Sequence, residues 1–421
     1  MKTSRSLRAL TVALGLALAG TSGASFAGTL TVRPGVPNVG GQARYSGTHG
    51  LQVDVATPNT AAAYVQSSHP SGETSYRARF FVNLRKLVMA NGDELDLFVA
   101  YDGADPVPPA TTGNTELRIV VRKVGADKVL SAFATLDGGS EVEIPATVTL
   151  ANGWRMVEFN WSRATAVGAN NGRLDLWVDG VPRTGLTTLD NDTGSINYSR
   201  WGTATGVDAG TSGQIDMDDF ASQRSGYMGP IQLFADVPPS DPLYRFVQGL
   251  YAAEVTAGCG GGNFCPTANV TRDQMAIFLE RGSRGPLFVP PTATGIFADV
   301  PPGAFAADFI EQLFSDGITA GCSSSPMLYC PTANVTRDQM AVFLLRAKHG
   351  PSYVPPAATG TVFADVPANA PFAAFIEQLA AEGITAGCGG GNYCPASPVT
   401  RSNMAVFLDR TFGFPTQEIG P

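Results

Sequence analysis

The stretch TAGCGGGNFCPTANVTRDQMAIFLER, residues 256–281, occurs in three near-copies within this 421-residue chain. The second copy, TAGCSSSPMLYCPTANVTRDQMAVFLLR, begins at Thr319, and the third, TAGCGGGNYCPASPVTRSNMAVFLDR, begins at Thr385. In each copy two cysteines enclose a short loop, and a Thr-Arg pair then opens an apolar segment with a helical period. A small unit that recurs at a nearly constant spacing is typical of repeat architectures, in which neighbouring units bury one another's apolar faces.

Each unit is predicted to hold two helices joined by its cysteine loop. The first helix runs through segments such as FAADFIEQLFSDG, residues 305–317, whose large apolar side chains fall on one helical face. The second begins at the Thr-Arg pair, where Thr271-x-x-Gln274 and Thr336-x-x-Gln339 have the spacing of capping boxes. Two helices alone bury too little surface, so the units must pack together as an all-α bundle. The three units span residues 231–284, 296–349 and 362–414.

The preceding region, residues 28–228, has a period of two. Segments such as LRIVVRKV (117–124), WRMVEFNW (154–161) and RLDLWVDG (173–180) are short and carry apolar or β-branched residues on at least one strand face. Turn-forming Asn-Gly and Asp-Gly pairs separate such segments. Strands that recur with no long helical pattern between them predict an all-β sandwich in front of the helical bundle.

Residues 1–27 are expected to be a secretory signal. They combine a basic start, a short apolar core at 11–19 and a small-residue cleavage site at 25–27. The apolar core is shorter than the ~20 residues that span a bilayer, and no later segment is long and apolar enough for a membrane helix. A formal net charge of −8 without a basic block argues against nucleic acid and anionic lipid as partners. We therefore expect a secreted protein.

The cysteines are confined to the repeats. All six lie there, as Cys259 and Cys265, Cys322 and Cys330, and Cys388 and Cys394. An even number of cysteines in an exported chain favours disulfides. Pairing within each repeat is the most economical arrangement, and each closed loop would stabilise its repeat by roughly 2 kcal/mol. Other pairings, free thiols and metal ligation stay open as alternatives, although no histidine lies beside the cysteines.

The order Phe-x-Asp-Val-Pro, helix, Gly-Ile-Thr-x-Gly, loop, Pro and Val-Thr-Arg resembles the S-layer homology repeat, three times over residues 231–412. The resemblance implies a pseudo-threefold bundle whose inter-repeat grooves bind cell-envelope polysaccharide or a peptidoglycan-associated glycan, which anchors the protein non-covalently. It also implies that the arginine of each Thr-Arg pair, Arg272, Arg337 or Arg401, contacts the glycan. A planar guanidinium suits the carboxylates of an anionic glycan.

Alternatives remain open for these residues. The repeats read Thr-Arg-Asp-Gln twice and Thr-Arg-Ser-Asn once where the family has Thr-Arg-Ala-Glu, so the glycan can differ from the pyruvylated wall polymers typical of the family. The arginines equally suit a structural role, in which each bridges to a neighbouring repeat. The aspartates of the Phe-x-Asp-Val-Pro motif, Asp236, Asp299 and Asp365, are interpreted as turn or capping residues.

The amino-terminal region resembles the concanavalin A-like, laminin-G-type jelly roll, most clearly in GRLDLWVDG and GQIDMDDFASQR. Relatives of this fold often hold a structural calcium with an aspartate of the terminal strand, which implies Asp219 as the metal ligand here. Asp216, Asp218, Asp190 and Asp192 are further candidate oxygen ligands. The alternative is that all of them are ordinary turn and edge-strand acids.

Two pairs of acidic residues have a spacing that glycoside hydrolysis can use. They are Glu94 with Asp96 and Glu141 with Glu143, each about 7 Å apart by strand rise. Both pairs are better explained as charged residues that alternate on a solvent-exposed strand face than as catalytic pairs. In addition, the second glutamate of the jelly-roll glucanase motif is missing after Asp96. No nucleophile-elbow, zinc-protease or phosphate-loop motif occurs in the sequence. The domain is therefore expected to be non-catalytic.

The combined pattern predicts an exported, non-catalytic protein of the bacterial cell surface. The repeats would anchor it to envelope polysaccharide, and the jelly roll would display a binding or adhesive surface. The alternatives are a secreted glycan-active enzyme and a purely structural array subunit that associates with itself.

Overall fold

The structure is a computed structural model of the chain. It describes residues 29–34, 46, 49–55, 62–103, 113–229 and 231–414. The secretory signal expected at 1–27 lies outside the described residues. The chain divides just before Ile231 into two compact units, an all-β unit and a helical unit.

The first sheet of the all-β unit has eight strands. They are β1 (Thr29–Pro34), β2 (His49–Val55), β4 (Ser75–Asn83), β5 (Leu87–Val88), β11 (Trp154–Ser162), β12 (Gly172–Val178), β13 (Val181–Leu189) and β15 (Ser212–Gln223). Their order is β1-β2-β15-β4-β11-β12-β13, with β5 paired to β15. Every pairing within the sheet is antiparallel.

The second sheet has seven strands and is antiparallel as well. They are β3 (Ala63–Glu73), β6 (Glu94–Tyr101), β7 (Thr115–Val124), β8 (Asp127–Thr135), β9 (Glu141–Glu143), β10 (Val148–Thr149) and β14 (Ile196–Thr203). Their order is β10-β8-β7-β6-β14-β3, with β9 paired to β8. Alternate residues of both sheets meet in one apolar core, where the rings of Phe98 and Phe159 lie 4.8 Å apart. The predicted β-sandwich is confirmed.

The face of the first sheet away from the core is partly closed by the segment after β15. Glu158 on β11 is fully buried and accepts hydrogen bonds from Arg77 Nε on β4 at 2.5 Å and from the backbone N–H groups of Met228 and Gly229 at 2.8 and 2.9 Å. The Arg77 guanidinium also lies 4.2 Å from the ring centre of Trp177 on β12. One buried carboxylate thus joins β4 and β11 to the end of the unit.

The helical unit has six helices within its described residues. They are α1 (Tyr244–Ala252), α2 (Arg272–Arg284), α3 (Ala307–Ser315), α4 (Arg337–His349), α5 (Ala373–Ala381) and α6 (Arg401–Phe412), with a short hairpin of β16 (Ser323–Ser324) and β17 (Met327–Leu328) in the middle repeat. The second helix of each repeat packs against the first helix of the next, as α2 on α3, α4 on α5 and α6 on α1. None of these helices is long and apolar enough to cross a membrane.

The helical unit closes on itself through three backbone hydrogen bonds, which we call the valine ring. Val270 N–H donates to the Val399 carbonyl at 2.9 Å, Val399 N–H to Val335 at 2.8 Å, and Val335 N–H to Val270 at 3.0 Å. All three valines are fully buried, and each comes two residues before a second helix. The first and third repeats are therefore joined as directly as repeats that are adjacent in sequence.

The starts of the second helices differ from the prediction in one respect. The Thr271 hydroxyl donates to the Asp273 carboxylate, which itself accepts the N–H of Gln274 at 2.7 Å. The same arrangement recurs at Thr336, so the capping boxes predicted at these two threonines are wrong. The reason is that the hydroxyl is turned toward the aspartate one residue after the arginine, whose carboxylate accepts its hydrogen bond. The third repeat has serine there, and Thr400 accepts a backbone N–H as a cap at 3.2 Å.

Candidate functional site

The three Thr-Arg arginines lie at the seams between repeats. Arg272, Arg337 and Arg401 are only 5%, 5% and 6% exposed. Each donates its Nε–H to a carbonyl of the neighbouring repeat, at 2.8 Å to Tyr329 and at 2.7 Å to Tyr393 and to Phe264, respectively. The valine ring and the packing of the helices bring these atoms together. The bridging role that the sequence left open is thus observed at all three seams, while glycan contact stays a prediction.

Each guanidinium also lies over the aromatic ring of the residue whose carbonyl it binds. The distances from the guanidinium carbon to the ring centre are 4.8 Å for Tyr329, 4.7 Å for Tyr393 and 4.9 Å for Phe264. Burial lowers the pKa of all three arginines. Within the described residues none of them forms an ion pair with a carboxylate. Each seam therefore holds a largely buried positive charge. The motif aspartates Asp299, Asp365 and Asp236 oppose the fall in the pKa of Arg272, Arg337 and Arg401, respectively, but do not reach ion-pair distance.

The cysteine loops beside the seams are closed by three disulfides. The bonds join Cys259 to Cys265, Cys322 to Cys330, and Cys388 to Cys394. The second cysteine of each pair has a left-handed φ of 58° or 59°. This conformation is costly for a non-glycine residue and must be held by its surroundings.

The aspartates of the Phe-x-Asp-Val-Pro motif supply that support. Asp236, Asp299 and Asp365 each accept, at 2.7 Å, the backbone N–H of the second cysteine in their repeat. Each accepts the preceding N–H as well, at 2.8 Å. Asp299 also lies near the sulfurs of Cys322 and Cys330, but these sulfurs are bonded to each other. The three aspartates are thus structural, as interpreted, but they hold the cysteine loop 28 to 31 positions further along and not the segment that directly follows them.

The acidic residues considered for hydrolysis are paired with two arginines of β7. The pairs are Arg118 with Asp96 at 3.0 Å and with Glu141 at 2.8 Å, and Arg122 with Glu143 at 2.5 Å and with Glu94. Both guanidinium carbons lie within 4.9 Å of the ring centre of Phe133. The four carboxylates thus form a ladder of ion pairs across β6, β7 and β9.

The aspartate predicted as a calcium ligand lies in a bulge of β15. Asp219 has a left-handed φ of 48° and accepts a hydrogen bond from the Ser46 hydroxyl. Its neighbour Asp218 accepts the Ser46 N–H at 2.8 Å. Within the described parts of the chain, Asp219 belongs to no group of three His, Cys or acidic residues whose ligand atoms lie within 4.8 Å of one another. The metal site at Asp219 stays a prediction.

Two of the further candidates, Asp190 and Asp192, meet a residue that the sequence did not single out. Together with Asp137 they place one carboxylate oxygen each within 4.8 Å of the others. Glu116 on β7 is 6% exposed, and burial, with nearby Asp102 and Asp137, raises its pKa to about 8. Asp137 follows β8 and the loop of Asp190 joins β13 to β14, so only the sheet order brings these acids together.

Another buried carboxylate lies in the helical unit, at the seam of the first and second repeats. Glu280 near the end of α2 is 0% exposed and accepts the Nε–H of Arg284 at 3.0 Å. Arg284 also pairs with Asp316 of the next repeat. Burial, together with nearby Asp316, raises the pKa of Glu280 to about 7 even though Arg284 opposes this.

We expect Glu280→Gln to remove a pH dependence of stability. A carboxyl whose folded pKa lies above its unfolded value near 4.5 contributes stability at low pH, and this contribution is lost as the pH rises through about 7. The loss amounts to about 2–4 kcal/mol. Urea unfolding of the wild type and the variant between pH 4 and 8 measures this loss. It is the change with pH in the difference between their free energies of unfolding. Parallel pH profiles would contradict the assignment.

Glu382 provides a control of opposite sign. Although burial raises its pKa, hydrogen bonds from Gln378, Lys348 and His349 hold the pKa of Glu382 below its usual value. Its stabilising contribution is therefore present above the unfolded pKa and is lost as the pH falls. The difference between wild type and Glu382→Gln should change in the direction opposite to that of Glu280→Gln.

The comparison with known families concerns the helical unit. Residues 233–276 and 362–405 match the family model of the S-layer homology domain. These segments belong to the first and third repeats. S-layer homology domains bind cell-wall polymers, and their presence indicates a cell-surface or envelope-associated bacterial protein.

One curated relative is an endoglucanase from Bacillus sp. (strain KSM-635), which is 30% identical over 115 residues. The match covers 27% of this chain and 11% of the endoglucanase, so the chain spans about a tenth of that relative's length. Similarity over so small a share does not transfer the activity of the whole enzyme.

Solved structures of low sequence identity are also similar. An endo-β-1,4-glucuronan lyase from the fungus Trichoderma reesei is 15% identical, with 49% of this chain and 91% of the lyase covered and a TM-score of 0.33. A carbohydrate esterase from the Shiga toxin-encoding bacteriophage phi24B is 13% identical, with 47% and 88% covered and a TM-score of 0.31. Such likenesses assign neither a reaction nor a ligand.

Proposed function

We propose that this chain is exported and that its helical unit attaches it non-covalently to cell-envelope polysaccharide. The observation that carries the proposal is the match of the first and third repeats to the S-layer homology domain. The middle repeat has the same seam, in which the helix-start arginine of α4 binds the loop of the third repeat at 2.7 Å. We therefore count all three repeats as domains of this kind.

The glycan is proposed to bind at the seams. Each seam has a buried arginine, Arg272, Arg337 or Arg401, without an ion-pair partner among the described residues. In a partly desolvated site an anion gains more from such a charge than it would in water. The preferred ligand is therefore a polysaccharide that carries carboxylates or other anionic groups, which a guanidinium binds in a fixed geometry.

The all-β unit is proposed to display a binding surface and to be non-catalytic. The four acidic residues with a spacing suited to hydrolysis are all paired with Arg118 or Arg122. The second candidate function is a glycan-active enzyme, an alternative that the 115-residue similarity to an endoglucanase leaves open. Release of reducing sugar from a glycan panel, lost in Glu94→Gln or Glu141→Gln, would establish that second function.

Co-sedimentation of the full chain with purified envelope polysaccharide tests the anchoring. We expect the wild type to pellet with the polysaccharide and the triple variant R272K/R337K/R401K to bind at least about tenfold more weakly. Lysine keeps the charge but loses the planar fork, and circular dichroism checks that the variant is folded.

The matched control is R281K/R346K/R410K, which changes the arginine nine positions further along each second helix. This variant should bind as the wild type does. If the wild type pellets with no envelope fraction, the anchoring proposal is wrong. Equal binding by both folded variants would keep the anchoring and remove the arginines from the site.

A further inference from the structure

We infer that the aspartates of the Phe-x-Asp-Val-Pro motif are positioning residues for the seam arginines of the neighbouring repeats. Each aspartate acts through a single peptide group, whose N–H it accepts while the arginine binds the carbonyl of the same group. The inference deepens the proposed attachment and rests on it, because these arginines are the proposed glycan ligands. The pairs are Asp299 with Arg272, Asp365 with Arg337, and Asp236 with Arg401.

The seam of the first and second repeats shows the arrangement. The peptide group between Tyr329 and Cys330 donates its N–H to Asp299 at 2.7 Å, and its carbonyl accepts the Nε–H of Arg272 at 2.8 Å. Asp299 also accepts the Tyr329 N–H, at 2.8 Å. A carboxylate and a guanidinium thus bind opposite ends of one peptide group, and hydrogen bonds in such a chain polarise one another.

The other two seams repeat this geometry. The backbone N–H groups of Cys394 and Cys265 donate at 2.7 Å to the aspartates of their own repeats, and the carbonyls of the same peptide groups accept the arginine Nε–H at 2.7 Å. Each aspartate also opposes the fall that burial causes in the pKa of its arginine. The carboxylate fixes the direction of the carbonyl, and the carbonyl in turn orients the guanidinium.

A second restraint is present at two of the three seams. The Tyr329 hydroxyl donates to the Arg272 carbonyl at 2.7 Å, and the Tyr393 hydroxyl donates to the Arg337 carbonyl at 2.7 Å. At the third seam the corresponding residue is Phe264, which has no hydroxyl to donate. The arginine of that seam therefore has one restraint fewer than the other two.

Exchange of the arginine Nε–H protons with water, followed by NMR on the full chain, tests the coupling without a ligand. We expect D299N to speed the exchange at Arg272 by about three- to tenfold, because an amide oxygen cannot accept both N–H groups as a carboxylate does. The disulfide of Cys322 and Cys330 keeps the loop closed in this variant. Exchange at Arg337, which lies in the same repeat as Asp299, should stay unchanged.

The other seams supply matched variants. D365N should speed the exchange at Arg337 alone, and D236N should speed that at Arg401 alone. They decide the question if D299N does not fold. F264Y, which supplies the missing hydroxyl, should slow the exchange at Arg401.

Co-sedimentation with purified envelope polysaccharide tests the role in binding. The triple variant D236N/D299N/D365N should bind about three- to tenfold more weakly than the wild type, and circular dichroism checks that it is folded. When the same three changes are added to R272K/R337K/R401K, they should cause little further loss. The reason is that residues which act through one another have effects that do not add.

Three results would overturn the inference. They are an unchanged exchange rate at Arg272 in folded D299N, an equal increase at all three seam arginines, which would indicate general loosening, and wild-type affinity of the folded triple aspartate variant. A wild type that pellets with no envelope fraction would refute the attachment instead, since the exchange rates are measured without glycan.

Discussion

Reduction of the full chain with dithiothreitol will lower the thermal transition of the helical unit by roughly 10–20 °C and leave that of the all-β unit in place. All six cysteines lie between residues 259 and 394, within the helical unit. The three disulfides close loops with sequence separations of 6, 8 and 6. Each restricts the unfolded chain by about 2 kcal/mol, and about 6 kcal/mol in a unit of this size corresponds to the stated shift.

Differential scanning calorimetry measures both transitions in one experiment. A variant with all six cysteines changed to serine is the control, because it should already have the lowered transition and should not respond to dithiothreitol. Changing only Cys322 and Cys330 should produce about a third of the shift. A helical transition that stays in place after thiol titration has shown complete reduction would refute the prediction.

Glu158→Ala will destabilise the all-β unit by about 4 kcal/mol or more. Removing one partner of a buried ion pair costs ~3–5 kcal/mol because the other charge stays buried without compensation. Here the loss also leaves the N–H groups of Met228 and Gly229 without their acceptor. Arg77, packed on Trp177, cannot turn to solvent without giving up that contact. Chemical denaturation followed by tryptophan fluorescence measures the change.

The surface pair Glu73 and Arg224 provides the matched comparison. Arg224 donates to Glu73 at 2.6 Å, but its side chain is 65% exposed. The Glu73 side chain is 12% exposed, but its partner Arg224 is open to water, which screens the pair, so Glu73→Ala should have a smaller effect than Glu158→Ala. Glu158→Gln should fall between the two, since its amide oxygen still accepts one hydrogen bond. Equal losses for Glu158→Ala and Glu73→Ala would show that the buried carboxylate is not what holds the segment.

Local patterns in the sequence predicted the elements of both units well. The period of two gave the strands, and the repeats gave paired helices, with the predicted start of α4 at Thr336 confirmed within one residue. The aspartates of the repeat motif were interpreted correctly as structural residues, but the N–H groups that they bind lie 28 to 31 positions further along the chain, and no local pattern showed this. The capping boxes failed for a local reason, since Asp273 competes for the hydroxyl of Thr271.

Contacts between segments that are far apart in the chain could not be predicted from the sequence. Glu116 and Asp137 are 21 positions apart and meet the 190–194 loop only because β7, β8 and β14 share a sheet. The pairing of Arg118 with Asp96 and Glu141 likewise depends on the register of four strands, β6 to β9. At the seams, the helical period gave no sign of which repeat each arginine would contact. Register and closure are set by the whole fold, so spacing along the chain does not reveal them.

The valine ring sets the copy number of the repeat. In an open solenoid each unit contacts only its neighbours, so units can be gained or lost at the ends and the array merely changes length. Here Val270 already binds Val335 and Val399, and no bonding position is left for a fourth unit. Duplication or deletion of one repeat would leave unpaired edges instead of a longer or shorter array. During evolution this unit can therefore multiply only as a complete triplet.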